Sequence, residues 1–142
     1  MKLPDVNLLL YGLDEGSPHH DAARPWLEDL LSGTEPVGFS WSVLLAFMRL
    51  STRPQLFTNP LQPAEAFDVI EGWLAQPCAV VLHPTERHLA VLRGLVEPLG
   101  TAGNLTTDAH LAALAIEHGA EVCSADHDFA RFGGLRWTNP LA

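Results

Sequence analysis

Five short apolar runs alternate with stretches of helical period along the whole chain, and this alternation constrains the fold more than any other feature. The runs are 2–5, 36–39, 79–82, 121–123 and 135–137. Between them, apolar residues recur at three- and four-residue spacing, as in Ala22, Ala23, Trp26, Leu27 and Leu30, or Leu44, Leu45, Phe47 and Met48. Strands that alternate with helices read as a single α/β domain, a mostly parallel central sheet with helices on both faces. A length of 142 residues suits one such domain spanning 1–142.

Local signals set the expected boundaries. After a first strand ending at Asp5, a helix over 6–13 is favoured, with Asp5 at its positive end. A second helix is expected from Ser17 or Pro18 to about Leu31. Ser40 reads as the N-cap of a helix over 41–50. Pro63 suits the first turn of a helix running to about Ala75. Thr85 is expected to cap a helix from Glu86 to about Leu99. Thr106 or Thr107 should cap the next helix, and Gly119 stands where that helix would end. Residues 126–132 read as a short helix or turn.

In such a chain, a carboxylate just past a strand end lies where open parallel sheets place their ligand crevices. Asp5 follows the first run, Asp108 opens a helix, and Asp126 and Asp128 follow the fourth run. Carboxylates gathered in one crevice repel each other, and a hard cation with oxygen ligands resolves that repulsion. Mg²⁺, or Mn²⁺ in its place, fits a site drawn from Asp5, Asp108, Asp126 and Asp128. Each residue also has an ordinary reading. Asp5 and Asp108 suit first helical turns, and Asp126-His127-Asp128 suits an Asx-type turn.

Charge narrows the function classes. A net charge of −9 argues against general nucleic-acid binding, which needs clustered cations. Bound divalent cations would relieve that repulsion and admit a phosphodiester. Lys2 is the only lysine, and the other seven basic residues are arginines, the better phosphate partners. Arg49 and Arg53, after the mid-chain helix, are the candidate phosphate contacts; helix C-terminal charge is their plainer role. Asn7, Thr107, His110 and His127 lie beside the candidate ligands and could support them. His19, His20, His83 and His88 lack zinc-like partners, so exposed or capping roles are expected. Cys78 and Cys123 read as reduced, partly buried thiols. No run is long enough to span a membrane and no export signal opens the chain, so a cytoplasmic location is expected.

Asp5-Val6-Asn7, the Ser40-to-Arg49 segment, Leu105-Thr106-Thr107-Asp108-Ala109-His110-Leu111 and Ser124-Ala125-Asp126-His127-Asp128-Phe129, in that order, resemble the PIN-domain nucleases. The likeness covers essentially the whole chain and is nearest to the VapC toxins of toxin–antitoxin pairs. It implies a metal-dependent endoribonuclease acting on structured RNA such as tRNA or rRNA, a homodimer, and a cognate VapB-type antitoxin whose basic or aromatic tail enters the acidic crevice. It maps the family acids onto Asp5, Asp108 and Asp126, with Asp128 at an auxiliary position. The family's mid-chain glutamate falls on Ala46, which cannot ligate a metal. Glu117 lies nine residues beyond Asp108, roughly 13 Å along a helix, and is a poor replacement. Two rival readings stay open: a weakened PIN-fold protein that binds RNA or antitoxin, and a small phosphate-ester hydrolase.

Overall fold

A computed structural model describes residues 1–142. Its centre is a five-stranded, all-parallel sheet in the order β3-β2-β1-β4-β5. The strands are β1 (Lys2–Pro4), β2 (Val37–Ser40), β3 (Ala79–Leu82), β4 (Glu121–Cys123) and β5 (Trp137–Thr138). Six helices connect them: α1 (Val6–Leu13), α2 (His20–Ser32), α3 (Trp41–Ser51), α4 (Pro63–Leu74), α5 (His88–Val96) and α6 (Thr106–His118).

Consecutive residues of the inner strands are buried: Leu3 and Pro4, all of Val37–Ser40, and Val122 and Cys123. Successive strand side chains point to opposite faces, so helices must cover both sides of the sheet. One core fills the space. Phe47 packs edge-on to Trp73 with ring centroids 4.7 Å apart, and Phe39 stacks on the same indole. Gly38 permits close packing within the sheet, because a Cβ there would lie 2.7 Å from Leu82 Cδ1.

Several expected caps form. Ser40 accepts the Ser42 amide, Pro63 opens α4, and Gly119 ends α6 with φ 66°, where a side chain would be strained. Arg136 donates to the Gly119 carbonyl at 2.6 Å, giving that helix end a cation.

Other boundaries differ, for identifiable reasons. The second helix starts at His20, because Ser17 is engaged in a turn in which its hydroxyl accepts the His19 amide. Thr85 does not cap a helix from 86. Its hydroxyl and amide both donate to the buried Glu117, and α5 begins at His88 and gives way to a 3-10 turn at Glu97–Leu99. No threonine caps α6: a 3-10 turn, Gly103–Leu105, runs straight into it and puts Leu105 at the cap position. The last strand lies later than expected, because Trp137 and Thr138 pair with Val122 and Cys123. Both cysteines are free and buried, and no helix is long and apolar enough to cross a membrane.

Candidate active site

The chain runs from β1 outward to β2 and β3, then returns to place β4 on the other side of β1. The carboxyl ends of β1 and β4 therefore bound the switch point, the place where such sheets open a crevice. Asp5 follows β1, and its amide donates to the Cys123 carbonyl at 2.9 Å, extending the ladder by one step. Ser124 and Asp126 follow β4. Parallel register brings together Asp5 and Ser124, which are 119 apart in sequence.

Asp5 is 8% exposed and fully engaged. It is the N-cap of α1: Oδ1 accepts the Val6 amide at 2.8 Å. Oδ2 accepts the Ser124 hydroxyl at 2.8 Å and lies 3.4 Å from Asn7 Nδ2. Asn7 also donates to Ser124 Oγ at 3.0 Å and accepts the Ala125 amide at 3.2 Å, tying α1 to the strand end. Ser124 Oγ accepts the Asp126 amide at 3.0 Å. One buried hydroxyl thus holds both the carboxylate of Asp5 and the backbone of Asp126.

Asp126 in turn accepts the Asp128 amide through Oδ1 at 2.9 Å, which is the Asx-type turn expected from the sequence. This bond leaves both side chains on the crevice side: ligand atoms of Asp108, Asp126 and Asp128 all lie within 4.8 Å of one another. Asp108 reaches them from the first turn of α6.

The electrostatics follow from this crowding. Burial, then the charges of Asp5, Asp126 and Asp128, push the Asp108 carboxyl up to about 7. Burial also raises Asp5, against the opposing pull of the Ser124 hydroxyl and Val6 amide. These carboxylates form a donor set suited to a hard divalent ion, all oxygen and short-armed.

The crevice encloses about 260 Å³. Asp5, Asn7, Thr107, Asp108 and Asp126 are among its polar lining, and Val43, Ala46, Arg49 and Leu50 line it from α3. A groove of about 640 Å³ runs between α2 and α4, but its one arginine, Arg24, is paired with Glu28, and its acids, Glu28, Asp29 and Asp68, form no cluster close enough to share an ion. Size alone does not locate the chemistry.

The structure brings Asp5, Asn7, Thr107, Asp108, Asp126 and Arg49 to this crevice, with Asp128 beside it. It does not bring Arg53, His110 or His127 there. Arg53 lies in the turn after α3. His127 sits edge-on to Trp137, centroids 5.7 Å apart. His110 faces α5: its Nδ1 is 2.9 Å from His88 Nε2, and His88 Nδ1 meets Glu117. The exposed or capping role expected for His88 gives way to this interhelical chain, anchored on a Glu117 side chain with no exposed surface.

Sequence reasoning passed over Ser124 as a site residue. The available signal was a small hydroxyl residue directly after a strand and two before an acid. Ser124→Ala should strand the Asn7 amide and the Asp126 N–H, costing about 1–3 kcal/mol of stability. It should lower metal affinity by about 10–100-fold, as loss of a ligand-orienting group does. Thermal melts and Mn²⁺ titration check both.

Known proteins share this sequence pattern and fold. The PIN domain family model matches residues 2–135. Ribonuclease VapC37 of Mycobacterium tuberculosis is 48% identical over 142 residues, covering 100% of this chain and 99% of the relative. Ribonuclease VapC33 of the same species is 43% identical over 99% of each chain. Among solved structures, a VapBC2 complex from Rickettsia felis bound to a promoter DNA fragment superposes with a TM-score of 0.71 at 19% identity, over 97% of each chain. VapC20 of M. tuberculosis, described as a sarcin-ricin-loop-cleaving toxin, superposes with a TM-score of 0.62 at 20% identity, over 96% of this chain and 99% of that one.

Proposed function

This chain belongs to the PIN-domain family, among the VapC ribonucleases, and we propose that it is a divalent-metal-dependent endoribonuclease, the toxin of a toxin–antitoxin pair. The observation that carries the site assignment is the convergence of Asp5, Asp108, Asp126 and Asp128 at the β1–β4 switch point.

Asp5, Asp108 and Asp126, with Asp128, would hold Mg²⁺ or Mn²⁺. Such an ion supplies a water that ionises near neutral pH and a positive centre for phosphate oxygens. The protein's own groups do the rest. Ser124 and Asn7 fix the direction of the Asp5 carboxylate. The α1 N-terminus favours its charge. Burial and the neighbouring carboxylates raise the Asp108 carboxyl to about 7, so near neutrality it is only partly ionised in the metal-free protein. Thr107 and Arg49 line the path of an entering phosphodiester. No histidine or thiol lines the crevice. Direct attack of water on phosphorus suits the site.

Substrate RNA is structured, of the tRNA or rRNA class. The partner is a short VapB-type antitoxin, whose basic tail would find complementary charge in a crevice lined by three acids with a fourth, Asp128, beside it. A homodimer has a candidate surface in Trp41 and Leu45, one turn apart on α3 and 49% and 60% exposed. A cytoplasmic location accords with an RNA substrate.

The test is cleavage of mixed tRNA and rRNA with Mg²⁺ or Mn²⁺, intact protein beside Asp5→Ala. Discrete metal-dependent products lost in the variant support the reading; turnover of a small phosphoester with no RNA products would replace it by the hydrolase reading.

Ala46 tests whether this site is complete. It lines the same crevice as Asp108, and Asp128 already supplies a fourth carboxylate. If the four-aspartate site is complete, Ala46→Glu should bring no gain in metal-dependent cleavage. A large gain would instead identify the native protein as a weakened binding module.

A further inference from the structure

We propose that the α3 wall of the crevice is a seat for one unpaired nucleotide, with Arg49 holding its phosphate and the apolar surface around Ala46 receiving its base. The proposal rests on the ribonuclease reading and deepens it.

Arg49 is the only basic residue lining the crevice, and its guanidinium forms no ion pair or hydrogen bond, although Asp5, Asp108 and Asp126 line the same space. A cation beside carboxylates that it does not pair with is free to take an anion entering between them. Its planar fork suits phosphate. Ser42, Val43, Ala46, Arg49 and Leu50 recur at helical spacing and so share one face of α3. On this face Ala46 has the shortest side chain. Val6 and Leu111 extend the apolar surface from α1 and α6.

The crevice thus has an acidic side, a guanidinium and an apolar wall within about 260 Å³. An unpaired ribonucleotide offers the matching parts, a phosphate and a ring face free to pack on side chains. A base held inside a duplex cannot turn into so narrow a space while its phosphate reaches the carboxylates.

The experiment is steady-state cleavage, with Mg²⁺, of one labelled RNA presented single-stranded or fully paired, across a KCl series. The single strand should be cut and the duplex spared. Arg49→Ala should raise KM about tenfold, the scale of one lost charged hydrogen bond, with the effect on KM exceeding that on kcat. It should also flatten the salt dependence of log KM by about 0.7, the loss of one single-strand phosphate contact. Arg49→Lys should restore the slope. Ala46→Leu should raise KM with the salt slope intact, because it fills the base seat and leaves the charge. Melting temperature and Mn²⁺ affinity, measured on each variant, separate these effects from misfolding. Unchanged KM and slope in Arg49→Ala, or equal cutting of duplex, would overturn the seat and leave the ribonuclease reading standing. No RNA cleavage by the intact, folded protein would overturn both.

Discussion

Asp108→Asn should abolish RNA cleavage and, in the same molecule, stabilise the metal-free fold. The first effect follows from its place among the three closest carboxylates. Replacing a ligand oxygen by an amide removes a charge on which cation affinity depends, and a loss of at least about a thousandfold corresponds to ~4 kcal/mol of transition-state stabilisation. Single-turnover cleavage measures it. The second effect follows from the electrostatics. The carboxyl of Asp108 ionises near 7 in the native protein and near 3.8 in the unfolded chain. Between those values the native state binds more protons, so stability falls as pH rises through that window and stays low above about 7. The substituted amide carries no charge and escapes the penalty, and it can still donate to Asp126. Metal-free Asp108→Asn should therefore melt above the intact protein at pH 8 and converge with it near pH 4. Adding Mn²⁺ should raise the melting point of the intact protein and leave the variant nearly unmoved. A variant that melts below the intact protein at pH 8 would refute the repulsion argument.

The largest stability loss is expected away from the crevice, at Glu117. Its side chain has no exposed surface and accepts the Thr85 amide at 2.9 Å, the Thr85 hydroxyl at 2.6 Å and the His88 ring. Burial pushes its pKa up, but the Thr85 and His88 hydrogen bonds outweigh that and hold it below the ordinary value. Glu117→Ala leaves these donors unpaired and loosens α5 from α6. A cost of about 3 kcal/mol is expected, a fall of roughly 10 °C in melting temperature for a chain of this size. Metal-dependent cleavage should persist below the transition, since Glu117 lies outside the crevice. The sign of the pH effect is opposite to that of Asp108. The stabilisation from Glu117 is present above its unfolded value of 4.5 and disappears as pH falls through its lower native value. His110, lowered chiefly by burial and then by His88, takes up a proton less readily in the native state, so acid below about 6.5 costs further stability. The intact metal-free protein should lose stability from the α5–α6 chain in acid and from the crevice toward neutral pH. A melting series from pH 4 to 8, with Glu117→Ala beside it, separates the two.

How far each element could be read from sequence depended on the range of the interaction that sets it. Ser40 was legible as a cap, and Pro63 and Gly119 as boundary residues, because their partners lie within one helical turn. Thr85 was misread because its partner, Glu117, is 32 residues away: a hydroxyl that would suit a cap was taken by a buried carboxylate. In the sequence Glu117 reads only as a poor stand-in for a metal ligand. His88 appeared isolated for the same reason, since both its partners lie on another helix. His110 and His127 were placed near the site by adjacency in sequence, yet adjacent helical residues face different ways.

By itself the sequence determined the α/β class, the strand–helix order, the aspartates that end strands or open helices, and the likeness to PIN-domain nucleases. Each is written in local pattern, period and motif. Tertiary structure alone decided that Asp5 and Ser124 meet, that Asp128 joins Asp108 and Asp126, and that Ala46 and Arg49 face them from α3. Parallel register between β1 and β4 made those meetings, and register is set by packing both faces of the sheet at once. That is a property of the whole core, which no stretch of sequence expresses alone.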